Sequence, residues 1–159
     1  MTTNKFEGGF RELEAWKKAR LLRREISELS RTFPDSEKFR LSSQLLRASR
    51  GITACIAEGY GRFHFQENIQ FCRTARGSLM ECLDHLTCAL DEGYIDDEKF
   101  RQFEGLHNEV LKILNGYISY LKRRKRVLLN SYWYFFFKTE LLNHLIYPNY
   151  PSYLNPLEA

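Results

Sequence analysis

Apolar residues recur at steps of three and four through most of this chain, and almost nowhere in strict alternation. From Leu13 onward, "LEAWKKARLLRREISELSRTF" carries Trp16, Ala19, Leu22, Ile26, Leu29 and Phe33 at that spacing, which places one apolar stripe along a helix. Pro34 ends it, because proline lacks the backbone N–H that a helix needs. The spacing predicts a second helix from about Ser36 to Glu58, with Phe39, Leu45, Ala48, Ile52 and Ile56 on its stripe, followed by Gly59 and Gly61. A third is expected from about Phe65 to Glu92, carrying Ile69, Cys72, Ala75, Leu79, Leu83, Leu86 and Leu90, with Gly93 as its C-terminal cap. In the run starting "YIDDEKF", acidic residues favour a helix N-terminus, and Phe100, Phe103, Leu106, Val110, Ile113, Tyr117 and Leu121 form a fourth stripe. Four amphipathic helices joined by short turns bury their stripes most simply as an all-α, antiparallel up-down-up-down four-helix bundle.

The pattern breaks after Arg126. Residues 127–159 hold only Lys138, Glu140 and Glu158 as charged groups among many aromatics, so the expected division is a bundle over 1–126 and an aromatic-rich extension over 127–159. Thr139 to Tyr147 suits a short helix, and Pro148, Pro151 and Pro156 forbid a longer one. So much apolar surface is a poor linker. Either the extension wraps on the bundle or a neighbouring subunit, or it has no role of its own.

Length and charge add little restriction. At 159 residues the chain is long enough to bury one core without disulfides or metal. The net charge of +4 permits an anionic partner without demanding one. No run of eighteen apolar residues is present to span a bilayer, and "MTTNKFEGGF" lacks the order of a signal peptide. The expectation is a cytoplasmic protein with no membrane partner. Cys55, Cys72, Cys82 and Cys88 form no C-x-x-C pair, so reduced thiols are expected. The best metal candidate, Cys82, His85 and Cys88, steps round a helix by threes and has no fourth ligand nearby, so neither metal nor cofactor is expected.

"CIAEGYGRF" raises the sharpest chemical question, since two close glycines before an arginine suggest a phosphate-cradling loop. Such a loop follows a strand, whereas Gly59 and Gly61 follow a helical run and match neither common phosphate-binding spacing. A helix cap and turn is the expected role. Glu58, in the last turn, opposes the helix dipole and needs a cation, either Arg62 or Arg76 on the third helix. A hydrolase centred on Glu58 would need a second acid, base or metal, and no catalytic residue is assigned. Gly77 and Ser78 sit mid-helix, where small residues let another helix approach, in the same bundle or another subunit.

Basic residues gather in three places. Lys17, Arg20, Arg24 and Arg31 form a row to one side of the first apolar seam, and Arg40, Arg47 and Arg50 repeat it on the second helix. Lys122, Arg123, Arg124, Lys125 and Arg126 are consecutive, more cations than capping one helix end requires. Rows of cations suit RNA or DNA backbone phosphates through counterion release. A charged stripe is also what an ordinary wet helix face looks like, and Glu12, Glu14, Glu25 and Glu28 are near enough to neutralise part of the first row.

Across "FRELEAWKKA", "FPDSEKFRLSSQLLRASRGITACIAEGYGRF" and "ARGSLMECLDHL" the chain resembles the four-helix-bundle family of proteins encoded inside ribosomal-RNA intervening sequences. The likeness runs from about Phe10 to Leu121 and rests on Trp16, the Phe33-Pro34 turn with Glu37, "LSSQLLRA", "IAEGYGR" and the segment ending at Glu81. Cys55 stands where the family commonly has asparagine, and Gly51 where serine is commoner. The resemblance implies a homopentameric ring, no catalytic activity and a basic surface. Similar bundles serve diversity-generating retroelements as accessory proteins that bind a reverse transcriptase and its template RNA, so those are the partners the resemblance implies.

Overall fold

The computed structural model describes residues 9–62 and 64–146, with side chains on the last helix as far as Ser131. It contains four α-helices: α1 (Glu14–Leu29), α2 (Leu41–Gly61), α3 (Phe65–Asp91) and α4 (Asp97–Ile146). Two short 3-10 turns, Gly9–Glu12 and Asp35–Glu37, precede α1 and α2, and no strand occurs among the described residues. The chain divides into two compact units, Met1–Lys122 and Arg123–Ala159.

Within the first unit, contacts between neighbouring helices close a cycle. Arg23 Nη1 of α1 donates to Thr53 Oγ1 of α2 at 2.8 Å, and Ser42 Oγ of α2 donates to the Ser30 carbonyl at 3.5 Å. Arg47 of α2 pairs with Glu81 of α3 at 2.6 Å. Asn68 and Arg76 of α3 reach Tyr117 and Asn115 of α4 at 3.1 and 3.0 Å. Lys18 of α1 meets Glu109 of α4 at 2.6 Å. Ascending numbers on one helix meet descending numbers on the next, which is the contact order of an antiparallel four-helix bundle. Inside it Leu22, Ile26, Leu45, Ile52, Ile56, Leu79, Leu86 and Leu114 are fully buried.

The periodicity located the helices, and their ends and faces differ from it in several places. α1 ends at Leu29, with Ser30 as its cap, before Pro34 is reached. On α3 Cys82 and Ala89 are buried, while Leu83 and Leu90 are half-buried. α2 begins at Leu41, not near Ser36, because Asp35–Glu37 forms a 3-10 turn whose Glu37 carboxylate accepts from the Leu41 N–H at 3.3 Å. Phe39 is thereby outside the helix and 84% exposed, so it is no part of the stripe. α2 also runs beyond Glu58 through Gly61, so both glycines are helical and the turn begins at Arg62, whose backbone is extended. On α4 the buried line is Phe103, His107, Val110, Leu114, Ile118 and Leu121, with Leu106, Ile113 and Tyr117 half-buried beside it. Finally, α4 does not stop at the basic cluster but continues to Ile146. Residues 147–159, with their three prolines, lie outside the described residues, as do the contacts that the wrapping of the extension would require.

Two glycines have structural reasons. Gly93 has φ +70°, and behind it the Tyr94 N–H bonds the Ala89 carbonyl at 2.8 Å while Gly93 N–H bonds Leu90 at 2.9 Å, the Schellman pattern that ends α3. Gly59 is buried where α3 crosses closest. A Cβ there would lie 2.8 Å from Phe71 Cβ and 2.9 Å from Asn68 Oδ1.

Burial controls the thiols and one phenol. It pushes Cys72 and Cys82 up to about 12 from 9.0, and Tyr117 up to about 12 from 10.0 against the opposing Asn68 hydrogen bond. Because the fold favours the neutral forms, their contribution to stability is complete below pH 9 and is lost as pH rises towards 12. The urea midpoint is therefore expected to fall from pH 9 upward, Cys72 and Cys82 each costing up to roughly 1.4 kcal/mol per pH unit traversed, with Tyr117 adding to the fall only above pH 10. An unchanged midpoint between pH 9 and 11 would contradict this.

Candidate nucleic-acid interface

The four basic residues of the α1 row are all exposed, while Ala15, Ala19, Leu22, Ile26 and Leu29 are buried. At about 100° per residue the row falls nearly opposite the seam, not to one side of it. Lys17 and Arg24 are about 10 Å apart at 1.5 Å per residue, and Arg31 lies just beyond the end of the helix.

Pairing divides the row. Lys17 Nζ lies 3.1 Å from Glu12 and 3.2 Å from Glu14, and these hydrogen bonds, Glu12 first, raise its affinity for its proton. Arg31 pairs with Glu28 at 2.9 Å. Arg20 lies over the Trp16 ring with its guanidinium carbon 5.7 Å from the ring centre, an arrangement that leaves its charge uncompensated. Arg24 has no ion-pair partner among the described residues. On the α2 side Arg47 is taken by Glu81 and Gln44, while Arg40 and Arg50 are exposed and make no ion pair among the described residues. Arg23, which the periodicity did not single out, is half-buried on the α1–α2 seam and spends its guanidinium on Thr53. Its place between the seam and the row, three residues after Arg20, was the available signal.

The third cluster has a different setting from the one its sequence suggested. Lys122, Arg123 and Arg126 are exposed and Arg124 and Lys125 half-buried, in the interior of α4 and not at its C-terminus. They therefore neutralise no helix end. Between Glu109 and Glu140 the helix has no acidic residue at all.

The remaining candidates have structural settings. Glu58 pairs with Arg62 at 2.6 Å, one turn ahead, and Arg62 also lies over the Phe71 ring at 4.9 Å. Arg76 instead donates to Asn115. Gly77 is exposed with open space around it, and the close helix approach occurs one residue on, where a Cβ on Gly51 would meet Ser78 Oγ at 3.0 Å. Cys82 is buried and Cys88 exposed, so the two do not converge. Among the described residues no three His, Cys, Asp or Glu side chains are placed to hold a metal ion, and no helix is long and apolar enough to cross a membrane.

The family model for the 23S rRNA-intervening sequence protein matches residues 11–116, more than half of the chain. The chain belongs to this family. Within the 23S rRNA-intervening sequence proteins, the match takes in the α1 row and the α2 arginines but ends before the basic cluster of α4. A solved structure from Bacteroides thetaiotaomicron, described as a protein of unknown function from the S23 ribosomal protein family, is 23% identical. It aligns with a TM-score of 0.61 over 65% of this chain and 97% of its own, a likeness of fold. No curated protein matches the chain.

Proposed function

We propose that this member of the 23S rRNA-intervening sequence family is a non-enzymatic nucleic-acid-binding protein that grips backbone phosphates as a homopentameric ring. Its partner, on the resemblance described above, is a retroelement reverse transcriptase with its template RNA. The observation that carries the binding reading is that Arg20, Arg24 and Arg50 are exposed and not ion-paired, on helices whose other cations are largely neutralised. Cations without carboxylate partners release counterions to a polyanion at no cost in broken ion pairs. Ring symmetry would repeat the patch and raise weak phosphate affinity through effective concentration.

Fluorescence anisotropy with labelled RNA tests the reading. Changing Arg20, Arg24 and Arg50 together to glutamine is expected to weaken binding by about tenfold or more at low salt, uniformly across sequences. Equal affinity for the variant would remove these residues from the interface. A second reading, a protein-interaction scaffold, draws on Phe39, which is 84% exposed with Lys38 Nζ 5.6 Å above its ring. Loss of a protein partner with Phe39→Ser, together with no measurable RNA affinity in the parent, would favour the scaffold.

A further inference from the structure

The C-terminal part of α4 joins two features that neither the family match nor the bundle explains. Arg123–Arg126 is followed without interruption by Val127, Leu128 and Leu129, which are 57%, 46% and 49% exposed. The sequence then places six aromatic residues in succession, Tyr132 to Phe137, on the same helix, which continues to Ile146. We propose that Arg123–Ile146 holds the protein on the surface of an anionic lipid bilayer.

Tryptophan and tyrosine, here Tyr132, Trp133 and Tyr134, favour the headgroup level of a bilayer because their rings are apolar with one polar end. The adjoining cations decide which bilayer. Arginine and lysine next to an apolar helix are attracted to the negative surface potential of phosphatidylserine-type leaflets. Lys138 and Glu140 interrupt the apolar sequence near its middle, which suits a segment lying at the surface and opposes one that crosses.

Two other occupants fit less well. RNA offers phosphates to Arg123–Arg126 but no apolar medium to residues 127–137. A second copy offers apolar surface, but parallel pairing would bring two sets of these four cations together. The proposal stands independently of RNA binding through α1 and α2.

Flotation of the full-length chain with vesicles provides the test, using phosphatidylcholine vesicles with and without phosphatidylserine. Co-flotation is expected with the phosphatidylserine vesicles and about tenfold less with phosphatidylcholine alone. Replacing Arg123, Arg124, Lys125 and Arg126 by glutamine should reduce it to a similar extent. Trp133→Ser with Phe136→Ser should abolish it, with unchanged helicity by circular dichroism. Failure of the parent to float, or flotation indifferent to the aromatic substitutions, would overturn the proposal. So would a parent that does not float but forms a larger assembly dissociated by those substitutions, since the occupant would then be a second copy. RNA affinity lost with the aromatic substitutions, in a chain that ignores vesicles, would overturn it in favour of RNA.

Discussion

Leu114→Ala is expected to destabilise the protein by about 2–5 kcal/mol, the range for removing a fully enclosed leucine whose cavity its neighbours cannot refill. Leu114 is 0% exposed, on the buried line that runs from Phe103 to Leu121. Leu106→Ala, at a position half-buried on the edge of that line, should cost clearly less. Urea denaturation of the two variants reads the difference as a shift in midpoint at constant slope. Equal losses, or a larger one at Leu106, would mean that the inward face of α4 is centred on Leu106, Ile113 and Tyr117, as periodicity alone suggests.

The second large effect comes from a single methyl group. Gly59→Ala should cost about 1–3 kcal/mol through overpacking, even though alanine gains up to about 1 kcal/mol over glycine in a helix interior. The added Cβ would meet Phe71 Cβ at 2.8 Å, Asn68 Oδ1 at 2.9 Å and the Asn68 carbonyl at 3.2 Å. The Asn68 amide could turn aside, but Phe71 Cβ and the Asn68 carbonyl are fixed to the backbone of α3, so α3 itself has to move. Asn68 also donates to Tyr117 and accepts from Cys72, so its displacement would disturb the α3–α4 contact as well. Gly77→Ala is the control. Nothing lies within 4 Å of a Cβ there, and the same change should stabilise by up to about 1 kcal/mol. Effects of the same sign at both positions would show that intrinsic propensity, not the closeness of α2 and α3, governs Gly59.

These substitutions also mark how far the sequence could be read. Apolar spacing located four helices because each buries one stripe, and the middle of the α1 stripe stands as expected: Ala19, Leu22, Ile26 and Leu29 are buried, while Ala15 is buried where Trp16 is only half-buried, and Phe33 lies beyond the helix end. Phe39 escaped because the 3-10 turn Asp35–Glu37 and the turn that follows it keep a helix-like spacing before α2 begins at Leu41. Gly59 and Gly61 resembled a stop signal, which Gly61 is as the last residue of α2, but Gly59 is buried and permits a close neighbour, and spacing cannot tell these roles apart. The basic cluster looked like a helix end because cations suit that end. Yet lysine, arginine and leucine are good helix formers, and no glycine or proline occurs between Gly116 and Pro148 to break the helix.

At the candidate interface the sequence supplied the residues but not their electrostatic state. The α1 row was legible from its steps of three, four and seven. Which cations of the α1 and α2 rows were already neutralised depended on rotamers and on neighbouring helices: Lys17 is held by two glutamates, Arg47 by a glutamate on α3, and Arg24 by none among the described residues. Glu58 likewise had two possible partners by position, and the shorter reach along its own helix selected Arg62. The candidate interface therefore has fewer unpaired charges than the sequence displays.

The affinity of the purified protein for RNA across a salt series tests the central claim most directly. Each phosphate neutralised steepens the fall of log affinity with log salt, by about 0.7 for single strands and 0.9 for duplexes. The account predicts measurable binding at low salt with a slope of several units, made shallower when Arg20, Arg24 and Arg50 become glutamine. Absence of binding at the lowest salt, or an affinity independent of salt, would contradict it.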